Sequence, residues 1–159
     1  MRSALKTLFV ILAVTSVALA SDRPDFTGEW KINLAKSDFG PYPRPTSHVR
    51  KITYSDPKLT LVDDISGGFG EPHSARTYSL DGSGFSYEAL NAKISGAAMW
   101  EGNAIVINSQ GLAETPVGDA TFQFTERWTL VDDGKTLRQV IHVETPQGGL
   151  DMSYVFDKQ

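Results

Sequence analysis

Cysteine is missing from all 159 residues. That excludes a disulfide scaffold, a thiol nucleophile, a Cys-rich zinc site and an acylated N-terminal cysteine. Histidine is scarce: His48, His73 and His142 lie far apart with no metal-ligand spacing among them. Positive charge is also in short supply, with 15 Lys+Arg against 19 Asp+Glu. Two of the basic residues, Arg2 and Lys6, fall in a segment that reads as removable. Without residues 1–20 the balance is 13 against 19, a net charge of −6 on 139 residues. A nucleic-acid binder needs a basic patch, so that partner class is set aside. Asn-x-Ser/Thr does not occur, because Ser109 follows Asn108 directly. No apolar stripe of period 3.6 runs over two turns after residue 21, so essentially no helix is expected there.

Cofactor and catalytic motifs are equally sparse. Gly67-Gly68-Phe69-Gly70 lacks the Lys-Ser/Thr and helix of a phosphate cradle. Ser83 sits between glycines, but a nucleophile elbow needs a following helix. Neighbours on a strand point to opposite faces, so Asp63 and Asp64 cannot share a substrate. No metal and no cofactor is therefore expected.

The first twenty residues have the layout of a secretory signal peptide. Residues 1–6 carry two positive charges, residues 7–19 are apolar with small hydroxyl breaks, and Ala18-Leu19-Ala20 supplies a small-x-small exit. Cleavage is expected between Ala20 and Ser21. The apolar run is short of the roughly 20 residues that span a bilayer. The expected product is a secreted or periplasmic bacterial protein, residues 21–159, free of the membrane after cleavage; its oligomeric state is left open.

That product reads as strands and turns. Phe26, Gly28, Trp30, Ile32 and Leu34 alternate with polar residues, as do Phe122, Phe124, Glu126, Trp128 and Leu130, and Met152, Tyr154 and Phe156. Period two marks strands with one buried face. Further β-rich runs cover residues 48–54, 59–65, 74–80, 85–90, 93–100, 104–109 and 136–145. Turn-formers separate them at 56–57, 81–84, 101–103, 132–135 and 146–149. The Pro-alternating residues 35–46 are expected as an extended crossing and the Gly-rich residues 66–72 as a mobile loop. Ten short antiparallel strands leave two sheet edges unless the sheet closes. The expected fold is therefore all-β, an antiparallel up-and-down β-barrel of about eight to ten strands, with a two-sheet β-sandwich as the alternative.

Phe26-Thr27-Gly28-Glu29-Trp30 resembles the Gly-x-Trp opening strand of the calycin superfamily, which holds lipocalins, avidins and fatty-acid-binding proteins. The resemblance implies that Gly28 and Trp30 close the barrel base and that Trp30 packs near a late-strand arginine, Arg127 or Arg138. Residues 128–137 also resemble a Trp-Thr-Leu-x-x-Asp-Gly-Lys-Thr-Leu block of small exported bacterial proteins. The lipocalin Thr-Asp-Tyr block and C-terminal helix are absent, and the Pro-rich crossing stands where fatty-acid-binding proteins have a helical lid. The ligand class stays open.

The informative residues are polar ones on apolar faces. Glu126 lies among Phe124 and Trp128, Arg76 among Tyr78 and Leu80, His48 and Arg50 among Ile52 and Tyr54, and Asp63 among Leu61 and Ile65. A lone buried charge is costly, so each must pair, meet water or meet a ligand. Arg76, Tyr78, Glu126, Trp128, His48 and Tyr54 are the ligand-binding candidates, with Glu126 and Arg76 expected to pair or to frame a polar spot in an apolar pocket. The leading functional expectation is a non-enzymatic barrel holding a small apolar or amphipathic molecule. The alternatives are a filled barrel serving as a structural or interaction module, and an acid–base enzyme using Glu126 with His48 or His142.

Overall fold

The computed structural model describes residues 23–116 and 118–159. The expected signal peptide lies outside the described residues. Ten strands follow one another: β1 (Gly28–Ile32), β2 (Ser47–Ser55), β3 (Lys58–Ser66), β4 (His73–Ser79), β5 (Asp81–Ala89), β6 (Ala92–Glu101), β7 (Ala104–Thr115), β8 (Gly118–Val131), β9 (Thr136–Thr145) and β10 (Gly148–Lys158). No helix occurs among the described residues.

All ten belong to one antiparallel sheet in the order β4-β3-β2-β1-β10-β9-β8-β7-β6-β5. β1 pairs with β2 on one side and β10 on the other, which brings the first and last strands together. A single curled sheet excludes the sandwich. Closure is incomplete between β4 and β5, which have no ladder between them. Side chains bridge that slit: the Tyr78 and Phe85 rings meet edge to face at 4.8 Å, and the Arg76 guanidinium lies 4.6 Å over Tyr87.

Alternation along each strand decides what enters the barrel. On β8 the even positions from Ala120 to Leu130 face inward, and the odd positions from Asp119 to Arg127 are exposed. β7 and β9 present odd positions inward, including Ile105, Ile107, Leu137 and Val143. One end of the barrel is solid, with Trp30, Trp128, Phe26, Phe156, Leu59, Leu61, Ile105 and Leu137 at its centre. Trp30 is fully buried and its indole Nε1 donates to the Phe26 carbonyl at 3.0 Å.

The cation over Trp30 is neither Arg127 nor Arg138. It is Lys158 of β10, with Nζ 5.2 Å from the ring centre. Arg127 shares the outward face of β8 with Thr125 and ion-pairs there with Glu101, while Arg138 is exposed on β9. Period two excludes both from the interior once Trp128 and Leu137 are inside. Gly28 makes the Lys158 arrangement possible. A Cβ there would come within 2.8 Å of Lys158 Cε, and its φ of +150° suits glycine.

Three boundaries differ from the sequence reading. Residues 81–84 are not a turn; they open β5 across a bulge, and the reversal occurs at Leu80. Residues 110–115 and 118–120 are the paired outer arm of β7 and β8. The β5–β6 reversal uses Leu90 and Asn91, both at positive φ (50° and 62°) as a tight two-residue hairpin turn requires.

The crossing between β1 and β2 folds back over the other end of the barrel. Asp38 bridges to Ser153 of β10, Arg44 donates to the Leu34 carbonyl, and Phe39 is buried. The Gly-rich loop after β3 is tied to this crossing. Thr46 N donates to the Ser66 carbonyl at 2.8 Å, and the Phe69 ring stacks on Tyr42 at 4.5 Å.

Candidate functional site

Above the solid core, inward polar residues from four strands join in one bonded chain. Arg50 of β2 and Asp63 of β3 are direct register partners, so their side chains meet on the same face. Arg50 Nε donates to Asp63 Oδ1 at 2.6 Å and Nη2 to Oδ2 at 3.1 Å, a bidentate pair. His48 Nε2 contacts Asp63 Oδ1 at 2.7 Å. Arg50 Nη1 reaches across the barrel to Gln139 Oε1 at 2.9 Å, and Gln139 Nε2 donates to Glu126 Oε2 at 2.7 Å. Trp128 Nε1 donates to the same Glu126 oxygen at 3.0 Å. The guanidinium also lies 4.9 Å from the centres of both the Trp128 and Phe156 rings.

Burial and charge set the protonation of this layer. Burial pushes Asp63 up, but the Arg50 charge and the bonds from His48 and Arg50 outweigh it and hold the carboxyl well below its usual range. Burial holds His48 below its ordinary value, with only partial opposition from the Asp63 bond. Arg50 is desolvated, yet Asp63 and then Glu126 keep it above its ordinary value. Tyr78 is raised well above 10.0 by burial and by the Glu126 charge, and Tyr87 and Tyr154 are raised first by burial as well. All three phenols therefore stay neutral, and all three lie within the reach of Glu126.

The opposite end of the barrel is not filled. A cavity of about 310 Å³ is lined by Tyr42, Phe69, Tyr87, Ala89, Leu90, Ala92, Ile94, Ser109, Ala113, Phe122, Phe124, Glu126, Val143 and Thr145. That volume falls at the lower end of the small-molecule range. Glu126 is the one charged member of this lining. Its walls are apolar because β5 to β9 place small and aromatic residues inward here: Ile94, Gly111 and Phe122 sit side by side in the ladder. A Cβ at Gly111 would come 2.6 Å from the Phe122 ring and 2.9 Å from Ile94. Those two side chains occupy the space that glycine leaves. The crossing and the Gly-rich loop supply the Tyr42–Phe69 stack at the rim, where Phe69 and Leu90 are 55% and 50% exposed. Leu90 holds a left-handed backbone while showing half its apolar surface to water, a costly combination at the mouth of a cavity.

Of the six ligand candidates, only Glu126 lines this cavity. Arg76 does not meet Glu126; it bonds Glu71 Oε2 at 3.0 Å and covers Tyr87, which is itself a lining residue. His48 is buried within the bonded layer, and Trp128 closes it from beneath. Tyr78 is buried against Phe85 at the slit. Tyr54 is at the solid end, beside Trp100 and bonded to Asp56. His142 pairs in register with Thr125, so it faces outward and cannot act with Glu126. Its partners there are Asp151 and Glu144, whose bonds raise it above its ordinary value. Phe122 and Phe124 were legible as the face-mates of Glu126. Tyr42, Phe69 and Leu90 were not, because they come from aperiodic segments.

No protein-family model matches the chain and none of the curated proteins matches it. Solved structures do. Secretory abundant heat soluble protein 4 from Ramazzottius varieornatus superposes with a TM-score of 0.60 at 10% identity, covering 84% of this chain and 94% of that one. Another structure of a secretory abundant heat soluble protein from Ramazzottius varieornatus gives 0.58 at 10% identity, with 84% and 94% covered. Zebrafish ileal bile acid-binding protein, solved with cholic acid, gives 0.58 at 15% identity, with 84% and 98% covered. At such identities the likeness concerns the fold alone: the chain is an antiparallel ten-stranded β-barrel of the shape those three structures share.

Proposed function

We propose that this chain binds a small apolar or amphipathic molecule in the cavity between the Arg50–Gln139–Glu126 layer and the Tyr42–Phe69 rim. The observation that carries the reading is the unequal filling of the barrel. One end is packed solid, whereas the other keeps an apolar space with a single carboxylate at its edge. A few fixed polar groups among apolar walls are what orient a ligand. The cholic acid held by the zebrafish protein supports the same use of the fold here. Binding rather than turnover fits the bonded layer, since Asp63, Arg50 and Gln139 stand between His48 and Glu126. We further propose that the chain is exported with cleavage after Ala20, the product working outside the cytoplasm of a bacterium.

The test is fluorescence titration with N-phenylnaphthylamine, a neutral apolar probe. Wild-type protein should give a saturable one-site enhancement, lost in Ala113→Trp, which fills the cavity from β7. Circular dichroism should show the variant folded. Unsaturable enhancement, or equal binding by a folded variant, would remove the cavity from the account. The solid end favours the module reading in one respect: were the protein only a scaffold, the probe would not saturate.

A further inference from the structure

The bonded layer does not balance in charge. Arg50 is matched by Asp63, and His48 is held toward neutrality by burial. Glu126 is then left over. Among the described residues it has no ion-pair partner; its bonds come from the neutral Gln139 amide and Trp128 indole, both to Oε2. The inward cations are already matched: Arg50, which reaches Glu126 only through Gln139, pairs with Asp63, and Arg76 of β4 pairs with Glu71. The mouth repeats the imbalance. A groove of about 840 Å³ beside the mouth shares the lining residues Ala89, Leu90 and Ala92 with the cavity. With Glu71 matched by Arg76, its remaining charged lining is Glu88 and Glu114 against Lys93.

We propose that the ligand of this cavity is a cationic amphiphile: an aliphatic or aromatic body carrying a protonated amine, which donates to the Glu126 carboxylate. This rests on the binding role proposed above and narrows it to one charge class. An ammonium is donor-only, and the cavity-facing carboxylate is acceptor-only. Charge-assisted bonds of this kind are about twice as strong as neutral ones. The aromatic walls add their negative ring faces, since Phe122, Phe124, Tyr87 and Tyr42 all line the space. A carboxylate-headed ligand would place like charge beside Glu126 inside low-dielectric walls, with Arg76 already committed elsewhere. The acidic rim draws the same class of molecule inward from solution.

The experiment displaces N-phenylnaphthylamine from the wild-type protein with octylamine, octanol and octanoate, three ligands with one body and different heads. It is repeated on Glu126→Gln, which keeps an acceptor for Gln139 and Trp128. Octylamine should compete at least tenfold better than octanoate, with octanol between them, and the amine's advantage over octanol should vanish in the variant. If the probe and octanol bind but octylamine is no better than octanoate, the charge assignment is wrong while the binding role stands. If nothing binds, both fall. Should Glu126→Gln not fold, the head-group order on wild-type protein decides. Glu88→Gln with Glu114→Gln then provides a second variant, expected to slow amine association severalfold at low salt and leave octanol unchanged; an unchanged amine rate would count against the acidic entrance.

Discussion

Removing Asp63 should expose how much the buried layer contributes. In Asp63→Asn the Arg50 guanidinium, 6% exposed, keeps its charge but loses a bidentate carboxylate. Breaking a buried ion pair from one side costs about 3–5 kcal/mol, against a total domain stability of about 5–15 kcal/mol. For a chain of this size 1 kcal/mol corresponds to about 3–4 °C, so the melting midpoint should fall by roughly 10–20 °C. Replacing both partners with apolar side chains, Arg50→Met with Asp63→Leu, removes the orphaned charge and should recover most of that loss. Acid behaviour gives a second readout. Asp63 is held below its ordinary value, so its stabilisation is complete above about pH 3.9 and is lost as pH falls from there. His48 is also depressed; the unfolded chain takes up its proton first, and stability starts to decline below about pH 6.5. Wild-type protein should therefore weaken progressively with acid, and the Asn variant should show a smaller lower phase, the part that Asp63 adds to those of Asp25 and Asp81, which are also held low by hydrogen bonds. The assay is thermal unfolding by circular dichroism from pH 8 to pH 1.5. A single-variant loss below about 1 kcal/mol, the size of surface changes, would refute the reasoning, as would a double variant no better than the single.

Other outcomes follow from the same packing. Trp30→Ala should cost about 3–5 kcal/mol by urea unfolding, because it empties a fully buried site and leaves Lys158 with no ring beneath it. Gly111→Ala should cost about 1–3 kcal/mol and weaken probe binding, since the new methyl group collides with Phe122 and Ile94 in the cavity wall; unchanged binding would mean that wall plays no part. Protein recovered from its native host should begin at Ser21, as read by N-terminal mass spectrometry, and a membrane-bound form starting at Met1 would overturn export.

Much of the architecture was legible because period two survives wherever one face is buried. On β8, Phe122 to Leu130 announce their own register, and β2 and β3 do so even with His48, Arg50 and Asp63 on the inner face. Their mutual pairing explains why three polar residues can share an apolar stripe. The outer arm of β7 and β8 was not legible, since Gly111, Ala113 and Ala120 carry too little apolar contrast to show an alternation. The partner of Trp30 was misplaced for a topological reason: a resemblance pointed to late-strand arginines, but β10 lies directly beside β1 and brings Lys158 instead. At the site, the carboxylate was readable from its face-mates. The rim was not, because Tyr42, Phe69 and Leu90 reach the mouth through a crossing, a loop and a turn that have no period to follow.

The central claim is that ligands enter the unfilled end of the barrel and stop at Glu126. Amide chemical-shift mapping by NMR during titration with octylamine tests it most directly. The account predicts saturable shifts concentrated at Ala89 to Ile94, Ala113, Phe122 to Glu126 and Val143, with Trp30, Leu59 and Leu137 at the solid end unmoved. Shifts centred on the outer face of the sheet, or spread evenly through the barrel, would contradict it.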